Sequence, residues 1–453
     1  MLEWNLASYL NRGVEVLLRR AFGLSFAAAA GLLLATVAVA PQQALAAVTI
    51  CPGQIADNTG TANAADAINA CIVSTPTNGT LSLPVGTYRL DVPVVVARSN
   101  ITIKTSGTTT ASGICEVSTA CAVLKASDTF YNATTFPSVS EHNGMFVING
   151  NNVTIDHLVF DGNRSGRIAS QGAPAYRALC RATFPGLEGY TFGRNVLAVG
   201  ENGSNRTIQY SVSKNAMCGT ALGWGGANAK VVSNYVYNNG SPFPIDSALI
   251  SDGITIGTVS NGDISSNIVA DSTDVDIIIG GATNNSRMQN NQIIHNGYPA
   301  FAGIMLTNWQ ALAATPTKAD FRGFDVSGNS INCYSFCDIG MQLGVLTWVY
   351  NSNWQNAVFM GGNVHHNTIN TAKQGINVSG AGDGNYAMRL ADNTINTTYN
   401  PSTPLIVVPG SLCPNPRPTG KLNVYGLWTE NVIWFQNNQD MDMDMITAWH
   451  KCY

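Results

Sequence analysis

From Lys230 to Thr397 the chain is written in short runs in which Val or Ile takes every second place and Gly, Asn or Ser closes the run. "KVVSNYVYNNG", "GDISSNIVADS", "SRMQNNQIIHNG", "FDVSGNSINCY", "NVHHNTINTA" and "MRLADNTINTT" carry the pattern. Looser copies stand earlier as "SNITIKTSG", "NNVTIDHLVFDGN" and "SNRTIQYSVSKN". Runs of about four to six residues with period-two alternation, bounded by turn formers, predict strands that end in turns.

Each later run contains Asn, one free position, then Val or Ile: Asn234, Asn267, Asn291, Asn329, Asn367 and Asn393. Their spacings are 33, 24, 38, 38 and 26 residues. A minimum near two dozen with variable additions is what a solenoid with loop insertions produces. No long helical stretch separates the strands, so βαβ crossovers are excluded as the general connection. The turns are long and uneven, unlike those of an antiparallel sandwich built on two-residue hairpins. The chain is therefore expected to be all-β, a parallel β-helix in which the repeated Asn marks one corner of every coil. Asn suits a corner because it tolerates left-handed backbone, and its amide can bond to the Asn of the next coil.

Near the start, apolar positions change to helical spacing. Ala62 to Val73 is expected to form one short helix with Ala64, Ala67, Ile68, Cys71 and Ile72 on one face. An open solenoid end exposes its core and its edge, so a capping helix there is physically expected. With the strand "LPVGTYRL" and the coil "NITI" that follow, this stretch resembles the start of the pectate-lyase-like superfamily of right-handed β-helix carbohydrate enzymes. The resemblance spans Cys51 to about Asn400 and implies that fold. It does not choose among the hydrolases, lyases, epimerases, esterases and adhesins the fold hosts.

Composition narrows the setting. Only 11% of the 453 residues are charged, against about 25% in a typical soluble domain. The net charge is −4 without a basic run, so the footprint of a nucleic-acid binder is missing. Arg12, Arg19 and Arg20 precede an apolar run from Ala21 to Ala40, and "ALA" at Ala44–Ala46 fits cleavage of an export signal. All ten cysteines lie beyond it, which suits disulfides in an oxidising compartment. Chain neighbours suggest Cys115–Cys121 and Cys333–Cys337, with Cys51–Cys71 and Cys413–Cys452 stapling the ends. The expected division is residues 1–46 as signal peptide, 47–110 as cap and first coils, 111–400 as β-helix core and 401–453 as C-terminal capping segment. The expected location is secreted or periplasmic, with no membrane contact after signal cleavage.

With charges scarce, clustered acids carry information. In "LISDGITIGTVSNGDISSNIVADSTDVDIIIGG", Asp252 and Asp274 are 22 residues apart, near one coil, so they are expected to stack at about 4.8 Å. Asp276 falls two residues beyond Asp274 and on the same side, at a diagonal of about 8 Å from Asp252. Like charges so close raise one another's pKa, placing a proton donor beside a base. The diagonal suits an inverting glycosidase, which needs room for a water. Asp263 and Asp271 are expected to serve turns.

The same stretch looks like the polygalacturonase family of β-helix hydrolases, whose N-T-D-G and paired-Asp motifs correspond to "ISDGI" and "TDVDI". The family's His then falls at His295, a candidate substrate contact, although no G-H-G surrounds it, no R-I-K follows, and the two acids of the second motif are separated. The resemblance implies glycoside hydrolysis of a polysaccharide or oligosaccharide by Asp252, Asp274 and Asp276, with no cofactor. Arg164 with Arg167, and the aromatic rings of Trp224, Trp309, Trp348 and Trp354, are candidates to hold sugar. An alternative reading is a uronate lyase or epimerase with calcium at the acids and Lys230 or Arg287 as base or clamp. Lys230 is expected one coil below Asp252 because 22 residues separate them. A non-catalytic adhesin, using the coil as a stiff rod, is the third.

Overall fold

The computed structural model describes residues 47–109, 111, 113–115, 120–130, 144–171, 180, 195–199, 203–241, 250–313, 315–344, 358–378, 386, 388–398, 419–424, 427–435 and 443–445. The expected export signal, Trp348, Trp354, Cys413 and Cys452 lie outside the described residues.

Each coil visits three sheets in turn. Lys230–Val232, Tyr235–Asn239 and Ser251–Ser260 make one coil; Asp263–Ser265, Ile268–Ser272 and Val275–Ile279 make the next. Successive coils pair in parallel, building two sheets of 11 strands and one of 12. The coils form a parallel β-helix. At its C-terminal end Leu427–Phe435 pairs antiparallel with Gln374–Val378, and Met443–Met445 with Met388–Ala391.

Period-two alternation fixes what lies inside. Val236, Val269, Ile293, Ile331, Ile369 and Ile395 occupy one inward column of the second sheet, and each is fully buried. Each contributes roughly 1.5–3 kcal/mol from burial. Sliding one coil by a residue would turn such a column outward, so these residues set the register.

The repeated Asn residues line the corner between the first and second sheets. The Asn234 amide donates to Asn267 Oδ1 at 3.0 Å, and the chain of bonds runs on through Asn291, Asn329, Asn367 and Asn393 at 2.8–2.9 Å. The second amide hydrogen of each goes to a strand carbonyl, such as Ile264 O for Asn291 at 3.0 Å. One expectation needs correcting: the ladder Asn is not the left-handed residue. That conformation falls on the preceding residue, Ser233, Ser266, Asn290, Gly328, His366 or Asp392. The positive φ turns the chain one step early, which leaves the Asn free to point its amide inward.

Helix α1 spans Ala65–Ser74 and buries Ala65, Ile68, Cys71 and Ile72. It begins three residues later than the periodicity predicts, because Thr59–Asn63 is used as a strand against Gly86–Leu90. It ends where Thr75 turns extended and donates its N–H and hydroxyl to Cys71 O. Disulfides join Cys51–Cys71, Cys115–Cys121 and Cys333–Cys337, and also Cys180–Cys218, a pair the spacing does not suggest.

Candidate functional site

The register of the third sheet decides which acids meet. Ile254 and Ile256 stand opposite Ile277 and Ile279, because both pairs must share the core. Asp252 is therefore level with Val275, whose N–H donates to Asp252 Oδ1 at 3.3 Å. Asp274 is level with Ser251, donating its N–H to that carbonyl at 3.1 Å. The expected direct stack of Asp252 on Asp274 is thus displaced by one residue. Chain spacing counts corner residues, whereas register follows the inward isoleucines.

Asp252 and Asp274 are both partly exposed, at the entry to neighbouring strands. The Thr255 hydroxyl donates to Asp252 Oδ2 at 3.0 Å, and Asp274 Oδ1 is buried without a hydrogen-bond partner. Burial raises the pKa of both carboxyls. The facing Asp274 raises Asp252 further, well above the usual range, while Asp274 reaches about 6. Two carboxyls in this state titrate as a pair and share a proton near neutrality.

Asp276 is placed differently from the expectation that it shares their face. A side-chain carbon at Gly253, level with Asp276 in the coil below, would meet a methyl of core Val269 at 2.6 Å. This column therefore points inward, and Asp276 is 0% exposed. Its Oδ2 lies 2.5 Å from His295 Nε2, and His295 Nδ1 donates to Tyr298 O at 2.9 Å. A second carboxylate, Asp271, stands 3.6 Å from Nδ1. Burial acts to lower the His295 pKa, but Asp276 and Asp271 raise it to about 10. Burial pushes the Asp276 carboxyl up, and the facing imidazolium offsets part of that. Nδ1 is committed as a donor with two acids around the ring, so the shared proton rests on the imidazole. The 8 Å diagonal that pointed to inversion ran to Asp276 and is not available.

His295 is fully buried, so the sequence-based placement on the substrate is corrected to a positioning contact behind the acids. Asp271 holds the next coil's corner. It has φ 52°, and its Oδ1 accepts the N–H groups of Asn296, Gly297 and Tyr298 at 3.1–3.2 Å. Burial opposes ionisation there, but His295 and these amides keep its pKa below the ordinary carboxyl value. Tyr298 and Thr255, both unremarked in the sequence pattern, complete the surroundings. Only their position one coil or one turn from an acid could have marked them.

The remaining candidates divide. Trp309, half-buried, joins a small apolar cluster with Val275, Ile278 and Phe301 beside the acids, its backbone N–H donating to Gly280 O at 2.8 Å. Arg164, at the start of helix α2 (Arg164–Gln171), lies over the Tyr298 ring at 5.9 Å and donates to Asn238 Oδ1 at 2.9 Å. Burial lowers its pKa. Arg167 is buried and lies over the ring of Phe130. Trp224 is 2% exposed and donates its indole N–H to Arg206 O at 3.2 Å. It is core, and the expected sugar contact is withdrawn.

Lys230 and Arg287 are not in the acid column. Both belong to the first sheet, flanking Asp263 in register, and Arg287 is bonded to Asp263 at 2.6 Å. The 22-residue interval crosses from one sheet to another, which is why it misplaces Lys230. The calcium alternative gathered all three acids on one face, whereas Asp276 is turned onto His295 and leaves Asp252 and Asp274 there. Among the described residues, no trio of acidic, His or Cys side chains is arranged to hold a metal ion.

No family model and no curated protein matches the chain. Among solved structures it is similar to an exopolygalacturonase from Thermotoga maritima, at 11% identity over 85% of this chain and 93% of that one, with TM-score 0.45. It is also similar to a polygalacturonase from Erwinia carotovora, at 13% identity over 75% and 84%, with TM-score 0.43. The A-module of a mannuronan C-5 epimerase from Azotobacter vinelandii is a third, at 15% identity over 76% and 92%, with TM-score 0.42. At such identities and TM-scores these likenesses carry no argument for a shared reaction.

Proposed function

We propose that the chain is an exported polysaccharide-active enzyme that hydrolyses glycosidic bonds with Asp252 and Asp274. The observation that carries this is the pair itself. Two partly exposed carboxyls in adjacent coils both have raised pKa values, with Asp274 at about 6. With both carboxyls raised and coupled, one can keep its proton while the other ionises. The protonated member can protonate the leaving glycosidic oxygen while the ionised member takes a proton from water or stabilises the sugar cation. The Asp276–His295 pair fixes the entry of the strand Val275–Ile279, and so the Asp274 carboxyl, from the core side. Trp309 offers an apolar ring next to the pair. The four disulfides support an oxidising compartment.

A glycan panel read by new reducing ends tests the proposal. Asp252→Asn and Asp274→Asn should each lower cleavage by about 10² or more, the usual size of a lost proton-transfer group. Product carrying an unsaturated-uronate absorbance would instead assign a lyase, loss of activity with a chelator would assign calcium chemistry, and inertness to all glycans would leave an adhesin.

A further inference from the structure

We infer that Tyr334 is a platform for one sugar ring of the glycan, two coils beyond the acid pair. This rests on the hydrolase reading and adds a subsite to it. Cys333 to Cys337 form the corner between the second and third sheets, closed by their own disulfide. Within it Tyr334 has φ 46° and Ser335 φ 69°, the one consecutive pair of left-handed non-glycine residues among those described. A bulky side chain disfavours that backbone region, and such outliers persist where the surroundings enforce them. Here the enforcement is visible. Tyr334 N–H donates to Thr371 Oγ1 and Ser335 N–H to Thr371 O, both at 2.7 Å.

The enforced corner presents an unused ring. Tyr334 is 60% exposed, and no hydrogen bond, ring contact or ion pair engages its side chain among the described residues. Tyr210, the other left-handed tyrosine, instead stacks on His157 at 5.1 Å. The strand that Tyr334 leads into continues the acid column. Phe301 N–H donates to Asp274 O at 2.8 Å, Ala300 stands opposite Cys337, and Ile339 opposite Gln374. Asp274, Phe301, Asp338 and Lys373 therefore occupy one row.

At the far end of that row Lys373 Nζ bonds Asp338 at 2.5 Å, with the lysine side chain 52% exposed. An exposed aromatic ring on the corner that leads into this row, and a charged hydrogen-bonding pair at the end of the row, are the chemistry that holds a sugar: ring face on ring, hydroxyls on the charges. Two coils are roughly 10 Å, so an oligosaccharide lying along the axis reaches from the acid pair to Tyr334.

The test is a chain-length series of the cleaved glycan. Tyr334→Ala should raise KM about tenfold on long oligosaccharides, with a deficit that shrinks for chains ending before the platform. Tyr334→Phe should retain most of the affinity. Tyr334→Gly guards against misfolding: it relieves the left-handed strain and should melt higher than the parent, yet show the same KM defect. On the Asp274→Asn background, calorimetric titration with the longest oligosaccharide should show the same weakening for Tyr334→Ala. An active enzyme whose KM is indifferent to Tyr334→Ala at every chain length overturns the subsite alone. A parent protein that neither cleaves nor binds any glycan overturns the hydrolase reading and the subsite with it.

Discussion

Replacing Asp274 by Asn should make the protein more stable and less active at once. The Asp274 carboxyl is raised from 3.8 to about 6, and each pH unit is worth about 1.4 kcal/mol. Above pH 6 the folded state must therefore carry an ionised carboxyl at a cost of about 3 kcal/mol relative to the unfolded chain. Its cause is burial beside Asp252, with one carboxylate oxygen lacking any partner. Asn keeps the shape and removes the charge. Because the folded pKa lies above the unfolded one, the cost is absent below pH 3.8, grows between 3.8 and about 6, and is constant beyond. The variant should match the parent at pH 3.5 and exceed it by up to about 3 kcal/mol at pH 7.5, read as a shift in urea midpoint at unchanged slope. Cleavage at pH 7.5 should fall at least about 10²-fold. If Asp274→Asn were less stable than the parent at pH 7.5, Asp274 would be an ordinary structural carboxylate and the shared-proton argument would fail.

The same pair predicts that kcat/KM falls as pH drops below about 6, when the ionised member is protonated, and falls again once the raised Asp252 carboxyl ionises; a profile flat between pH 4 and 7 would count against a shared proton. In the ladder, Asn291→Leu strands the N–H and amide of Asn267, the Ile264 carbonyl and one acceptor site on Asn329; at about 1 kcal/mol each, the low end for a buried orphan, unfolding should become easier by about 4 kcal/mol in urea titration. His295 is raised from 6.5 to about 10, so the stability it gives is complete below pH 6.5 and lost as pH rises through 10. The gap in melting temperature between the parent and His295→Gln should therefore close across that interval, and a gap that widened would place the proton elsewhere.

The coil architecture was legible because the Asn-x-Val/Ile phrase encodes two things at once. The Val or Ile must face the core, and the Asn must fill a position where every polar atom needs a partner in the next coil. Few folds reward both at a repeat near two dozen residues. The phrase did not say which residue turns the corner, because Ser233, Gly328, His366 and Asp392 share no side-chain chemistry. They share only a backbone conformation. Cys180–Cys218 was illegible for a related reason, since 38 residues separate the partners along the chain and only the stacking of coils brings them together.

The acids show where spacing stops being informative. Counting residues brought Asp252, Asp274 and Asp276 to one place, and the coil does gather them, but it divides them between two environments. The division follows from the backbone rather than from the acids. Level with Asp276, the coils before and after carry Gly253, Gly303 and Gly340, and side-chain carbons there would collide with Val269, Ile331 and Ile369. Glycine is what that inward column ordinarily tolerates. A carboxylate can occupy it only if its charge is met inside, which is why His295, fully buried and ringed by Asp276, Asp271 and the Tyr298 carbonyl, stands where it does. A lone histidine in "IIHNG" gives no such sign; the run of glycines at matched register, visible once the coils are aligned, is the signal that separates an acid that reacts from an acid that holds the strand.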